Sequence, residues 1–497
     1  MFDSESDGER IHRSRSPPRA IPSSTSGSSV GIARSQTRRF GEGPARPSAG
    51  FASSQAREGE ATAPWSVTFA SIIAPLVKSL GAQKRALRHR SMYTGMNSQQ
   101  QIFMLFGIVS VDEVGAEVKD SAWRFMKANN ILPSKCHVKA EQMLESACDD
   151  GERADFFSAG FPCQPWSQMS RKKHPAHLHP LFAQFLNTVK YILRTKPLLA
   201  LLENVLGFLH QMFVFEGQEW ESAFAYLEAQ LSHMYSVGFV ELNLATWIDV
   251  RRPRVFIFCV HYDVEGGEDV VRKAQAFAVS FEEQRRQQPP KRVEECCFLV
   301  GSPEWRRAVM GDIGSRGVAA SHPVSVKKSW QAETEAIRHL LEQEGKPWAR
   351  AHPLQHALLR GLSRTDRQVE ILECALLLRC RAAHLSPEDP AQLISAMRGL
   401  KWDVSQNITT KHSAALGHTD LACTCTGALV YSFELDRILH PEEMLQATGW
   451  IDARTGGLSM SELTDLIGEA QALPSLAVAT FSLLLAAGSQ LPGVWSA

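Results

Sequence analysis

Asp155-Phe156-Phe157-Ser158-Ala159-Gly160-Phe161-Pro162-Cys163-Gln164-Pro165-Trp166-Ser167 joins a short apolar run to a cysteine through Gly-Phe-Pro. The run has strand character, and the cysteine stands on the loop beyond its carboxyl end. In an open parallel sheet that edge is where ligands and reactive groups gather. A cysteine there is predicted to meet helix N-termini, which lower a thiol from about 8.5 toward neutrality and free the thiolate. A lone cysteine is equally at home buried and inert, so the flanking sequence has to decide.

On the C-terminal side, Leu198-Leu199-Ala200-Leu201-Leu202-Glu203-Asn204-Val205 is a second apolar run, ending in a carboxylate and an amide. A glutamate shielded from water at a strand end can serve as a general acid; its other reading is a surface cap on the next element. Asp249-Val250-Arg251-Arg252-Pro253-Arg254-Val255 leads into a third run. Arg252 and Arg254 alternate about Pro253 and are predicted to project to one side, unless they serve a solvated edge or phosphate contacts. Strand-like runs at 107–111, 155–159, 198–202, 240–244 and 255–260 alternate with helical patterns at 120–129, 179–194 and 220–234. Strands separated by helices predict a parallel α/β sheet with crossover connections.

Composition shifts divide the chain. Residues 1–63 are rich in Ser, Arg, Gly and Pro and are predicted to be a disordered tail, because they hold too little apolar surface to offset ordering entropy. Within it, residues 13–19 form a basic, phosphorylatable arm suited to nuclear targeting or to nothing beyond a solvated linker. Residues 64–262 have the composition of a globular main part. Residues 263–430, with charge-rich helices at 329–344 and 365–383, read as a second domain, and 431–490 return to apolar helical periodicity.

The 497 residues carry 53 basic and 53 acidic side chains, so the net charge is zero and nucleic-acid binding by bulk charge is excluded. Ten cysteines without a Cys-x-x-Cys pair predict neither a disulfide scaffold nor a structural zinc site; Cys423 and Cys425 alone are weak. No metal is expected, and a reducing compartment is. The opening residues lack the apolar core of a secretory signal. The apolar run 472–488, interrupted by Pro474, Ser475, Thr480 and Ser482, is predicted to be a buried helix rather than a membrane span, and the chain to be soluble.

Taken in order, the Pro162-Cys163-Gln164, Glu203-Asn204-Val205 and Arg252-Pro253-Arg254 runs resemble motifs of the cytosine-5 methyltransferases that use S-adenosylmethionine. The resemblance covers roughly residues 88–262 and 405–488, and Glu442 and Glu443 with the 445–450 run lie in its later part. It implies a Rossmann-like α/β methyltransferase domain with a parallel-rich sheet, 64–262, completed by 431–490, with a smaller target-recognition domain, 263–430, inserted between. It implies an enzyme, a DNA (cytosine-5-)-methyltransferase, with Cys163 as nucleophile toward carbon-6 of a flipped-out cytosine. Glu203 would hydrogen-bond the ring, and Arg254, supported by Arg252, would engage the base carbonyl. For the cofactor it implies Gly95 in the loop 91–98, Glu117 on the ribose, Glu141 on the adenine, Pro162 beside the catalytic loop, and Gly468 and Glu469 in the final motif.

This chain departs from the family pattern in three places. The loop Ser91-Met92-Tyr93-Thr94-Gly95-Met96-Asn97-Ser98 holds a single glycine and has Ser91 where an acid is usual. Val250 stands where a glutamine precedes the arginines, and Glu469 replaces an asparagine. Three readings follow: methylation of DNA, methylation of transfer RNA, or a catalytically idle nucleic-acid binder. The long 263–430 segment favours DNA, which carries with it a nuclear location.

Overall fold

The strand-forming runs at 156–159, 199–204 and 253–261 are apolar on both faces. In the computed structural model, which describes residues 64–148, 153–167, 175–298, 302–304, 324–346, 366–406, 408, 421–422 and 425–496, seven strands make one sheet. They are β1 (Leu87–Met92), β2 (Ser110–Ala116), β3 (Lys135–His137), β4 (Phe156–Ala159), β5 (Leu199–Asn204), β8 (Tyr235–Asn243) and β10 (Pro253–His261); β6 (Phe213–Phe215), β7 (Gln218–Trp220) and β9 (Val250–Arg251) lie outside it. The order across the sheet is β3-β2-β1-β4-β5-β10-β8. Strands β1 to β5 pair in parallel, and β10 alone is reversed, antiparallel to both β5 and β8.

Successive residues of the central strands feed opposite cores, as the period of two requires. Phe256, Phe258 and Val260 of β10 join one core, and Val255, Ile257 and Cys259 join the other. The first core is closed by helices α1 (Pro64–Val77), α2 (Ser98–Leu105), α3 (Asp120–Ala128) and α8 (Gly267–Arg286). The second lies under α4 (Ala140–Glu145), α5 (Phe182–Thr195) and α7 (Ala223–Leu231), with α6 (Gly207–His210) beside them. This is the three-layered α/β architecture the sequence predicts.

Helix α8 falls within the segment expected to start the recognition domain. Its residues Val270, Ala274, Ala278 and Phe281 instead recur at helical spacing along the first core, so the main layer runs on to about Arg286. A third, separate core gathers α9 (Val324–Gln343), α10 (Asp366–Ala382), α11 (Pro390–Met397), β11 (Lys401–Asp403) and β13 (Val430–Ser432). Strand β12 (Leu421–Ala422) pairs with β9, so this region touches the main part beside Arg252; β14 (Arg437–Ile438) pairs with β13.

Beyond it come α12 (Pro441–Ala447), α13 (Met460–Glu469) and α14 (Leu473–Ala487). Helix α14 is apolar all round and buried in the first core, with Pro474 in its first turn, where a missing N–H does no harm. At 15 residues it spans about 22 Å, short of a bilayer's hydrocarbon. The tail 1–63 and Cys423 lie outside the described residues. Eight of the described cysteines, Cys163 among them, are free thiols.

Candidate active site

Cys163 is held by its neighbours' aromatic rings. Phe161 and Trp166, on either side, are buried and pack on Phe185 and Phe208, with Trp166 also against Phe182 and Phe213. The loop is therefore pinned at two points, with half-buried Cys163 between them. Asn204, at the end of β5, donates from Nδ2 to the carbonyl of Phe161 at 3.1 Å. Its motif partner Glu203 meets the reversed strand. Because β10 runs antiparallel to β5, the start of β10 lies at the end of β5, and Arg254 Nε reaches Glu203 Oε1 at 3.0 Å.

The thiol does not follow the expectation of a lowered pKa. Burial pushes it up, the Arg254 guanidinium pulls it back, Glu203 adds to the rise and Arg252 opposes it; the net direction is upward. The helical turn that Cys163 begins is three residues long, too short to bring a helix dipole against the desolvation.

Arg252 and Arg254 part company. The Arg252 side chain, 3% exposed, donates from one guanidinium nitrogen to the carbonyls of Gly468 (3.2 Å) and Ala470 (2.6 Å). It ties the C-terminal segment to the start of β10, and its charge also acts on the Cys163 thiol. Gly468 is a point of close approach: an added Cβ would come within 2.4 Å of the Thr426 backbone nitrogen. Its role in the structure is packing and acceptance from Arg252.

The cofactor residues implied by the resemblance fall into two groups. Gly95 and Glu117 come together: the Gly95 N–H donates to Glu117 Oε2 at 2.8 Å, and the Lys119 N–H to Oε1 at 2.9 Å. Burial raises the Glu117 pKa against these bonds. Gly95 has φ +55°, and a Cβ there would meet only the Tyr93 carbonyl, at 3.9 Å, which leaves an open cradle. Val118 (68% exposed) and Val138 (55% exposed) stand just past the ends of β2 and β3 and offer aliphatic surface to a flat ring. Glu469 joins this group, its charge met by Lys119 Nζ at 2.6 Å.

Glu141 approaches the loop 91–98 from α4, linked to it through Gln184, whose Oε1 accepts from the Tyr93 hydroxyl at 2.8 Å. The Glu141 Oε1 accepts from Gln184 Nε2 (3.2 Å) and Asn187 Nδ2 (3.0 Å), so it fastens α4 to α5. Pro162 sits half-buried on the Cys163 loop. The residues fit S-adenosylmethionine: both Glu117 oxygens keep a lone pair for ribose hydroxyls, and the Gly95 cradle is clear. Sequence reasoning did not pick out Asn97, Lys119, Val118 or Val138. Only Asn97 gave a signal, an asparagine at a position where the family loop has glycine.

A family model described as C-5 cytosine-specific DNA methylase matches residues 89–349. Among solved structures, the chain is similar to the Entamoeba histolytica methyltransferase EhMeth at 12% identity and a TM-score of 0.42, over 80% of this chain and 98% of that one. It is similar to the Dnmt2 methyltransferase of S. pombe at 13% identity and a TM-score of 0.42, with the same 80% and 98% coverage. No curated protein matches it by sequence.

Proposed function

The chain belongs to the C-5 cytosine-specific DNA methylase family, and on that premise we propose that it transfers a methyl group from S-adenosylmethionine to carbon-5 of cytosine in DNA. The observation that carries the reading is the meeting of Cys163 with the Glu203–Arg254 pair, 3.0 Å across, at one sheet edge.

When bound, the cofactor supplies an electrophilic methyl group on a sulfonium centre. Cytosine carbon-5 is too weak a nucleophile to take it unaided. The Cys163 thiolate adds to carbon-6, and the displaced electron pair gives carbon-5 enamine character. Glu203 shares a proton with ring nitrogen-3 and accepts from the exocyclic amine, and Arg254 holds both the carboxyl group and the base carbonyl as charge builds there. After methyl transfer, loss of the carbon-5 proton returns its electron pair to the ring and expels the thiolate. Burial holds the Cys163 thiol above its ordinary pKa, and of the two cations that favour the thiolate Arg254 acts the more strongly. A base inside a duplex is out of reach of Cys163, so it must leave the stack.

The test incubates the full chain with methyl-tritiated S-adenosylmethionine and either duplex DNA or transfer RNA, alongside Cys163→Ala. Label in DNA 5-methylcytosine that disappears in the variant is the expected result. Trapping on DNA containing 5-fluorocytosine should also require Cys163, since fluorine cannot leave as a proton does. Label in RNA alone overturns the choice of DNA; label in neither, with cofactor still bound, overturns the catalytic reading.

A further inference from the structure

Asn97 occupies the cofactor loop in a left-handed conformation, φ +55° and ψ +48°. Asparagine is one of the few residues besides glycine that enters this region readily. Its side chain is 2% exposed, and Nδ2 donates to Asp112 Oδ2 at 2.5 Å and to the Ile131 carbonyl at 2.6 Å. Two acceptors on one side settle which way the amide lies.

The contacts continue through the sheet. The other Asp112 oxygen lies 3.1 Å from His89 Nδ1, on the neighbouring strand and in register with it. His89 Nε2 lies 2.8 Å from Ser158 Oγ on β4, the strand that delivers Cys163. Ser, His and Asp in this order resemble a hydrolytic triad. All three are buried between the layers, however, and no substrate reaches Ser158. What the line of residues does connect is the cofactor loop at one end and the nucleophile's strand at the other.

We propose that Asn97 is a positioning residue for the cofactor. It supplies the left-handed turn that a second loop glycine would give, and it fastens the loop to Asp112 of β2, which pairs with β1, the strand beside the one that delivers Cys163. The inference rests on the methyltransferase reading above. Gly95, two residues earlier, holds Glu117 at 2.8 Å, so a loop loosened at Asn97 loses its grip on the ribose before it loses its fold.

The experiment measures S-adenosylhomocysteine binding to the full chain by calorimetry, with kcat and both KM values. Asn97→Ala and Asp112→Ala should each weaken binding about tenfold, the effect of orphaning one buried partner. KM for S-adenosylmethionine should rise in parallel while KM for DNA stays put, a split that a general loss of packing would not give. The double variant should be little worse than either single one, because both remove the same tie. Asp112→Asn, whose amide oxygen still accepts from Asn97, should stay within about threefold of wild type. If Asn97→Ala does not fold, Asn97→Gly removes the fastening and keeps the turn, and should still bind more weakly. Unchanged affinity in a folded Asn97 variant, or additive losses in the double variant, overturns the proposal. A wild-type chain that binds no S-adenosylhomocysteine overturns the methyltransferase reading itself, a result distinct from both.

Discussion

Cys163 lies between burial, which favours its protonated form, and the Arg254 guanidinium, which favours the anion. Removing the cation takes away the larger of the two charges that oppose burial and Glu203, leaving the smaller pull of Arg252. Arg254→Gln should therefore carry the rising limb of the pH–rate profile for methyl transfer to higher pH and lower the rate at neutrality by about 10²-fold or more. A profile that does not move would detach Arg254 from the thiol. Cys163, Glu203 and Arg254 were legible in the sequence because each stands at one end of an apolar run, and strand ends share an edge. The actual engagements of Arg252 and Glu141 were not. Arg252 bonds carbonyls at Gly468 and Ala470, and Glu141 bonds side chains at Gln184 and Asn187. No local pattern announces partners so far along the chain.

Among the elements, β10 sets the site: its reversal brings Arg254 to the edge and turns Arg252 toward the segment between α13 and α14. Arg252→Met keeps most of the side chain's bulk but strips two buried carbonyls of a donor. The expected loss is about 2–3 kcal/mol of stability in urea unfolding, larger than any loss of rate per folded molecule. Strands β4, β5 and β10 could be read from composition. Strand β1 could not, since Leu87-Arg88-His89-Arg90-Ser91-Met92 looks like a basic surface patch. Its charges are met across the sheet: Arg88 and Arg90 both meet Glu113 of β2, at 2.6 and 2.9 Å, and His89 lies against Asp112 and Ser158. Strand β3, three residues long, was likewise too short to register as a periodic pattern.

Across the whole molecule, the region built on the third core is locked to the main sheet layer by a buried charge cluster. Lys401 Nζ, 0% exposed, lies 2.7 Å from Asp249 and 3.4 Å from Glu294. Burial pushes the Asp249 carboxyl up to about 6, with Lys401 pulling it back. The folded chain thus holds that proton more tightly than the unfolded chain, and the resulting stabilisation is full below about pH 4 and lost as pH rises through 6. Relative to Asp249→Asn, which does not titrate, the wild type should lose on the order of 2 kcal/mol between pH 4 and 7, read from urea midpoints. A constant difference would remove Asp249 from the account. At the far end, Trp65 Nε1 donates to the Gly449 carbonyl, Lys84 N–H to the Val494 carbonyl and Ser496 N–H to the Ala82 carbonyl, while α14 fills the core beneath α1. On the ribosome, then, α1 must wait for a partner made about four hundred residues later. Until α14 emerges the nascent sheet shows the surface meant for it to whatever else is in the cell, which makes this chain a natural client for chaperones over that interval.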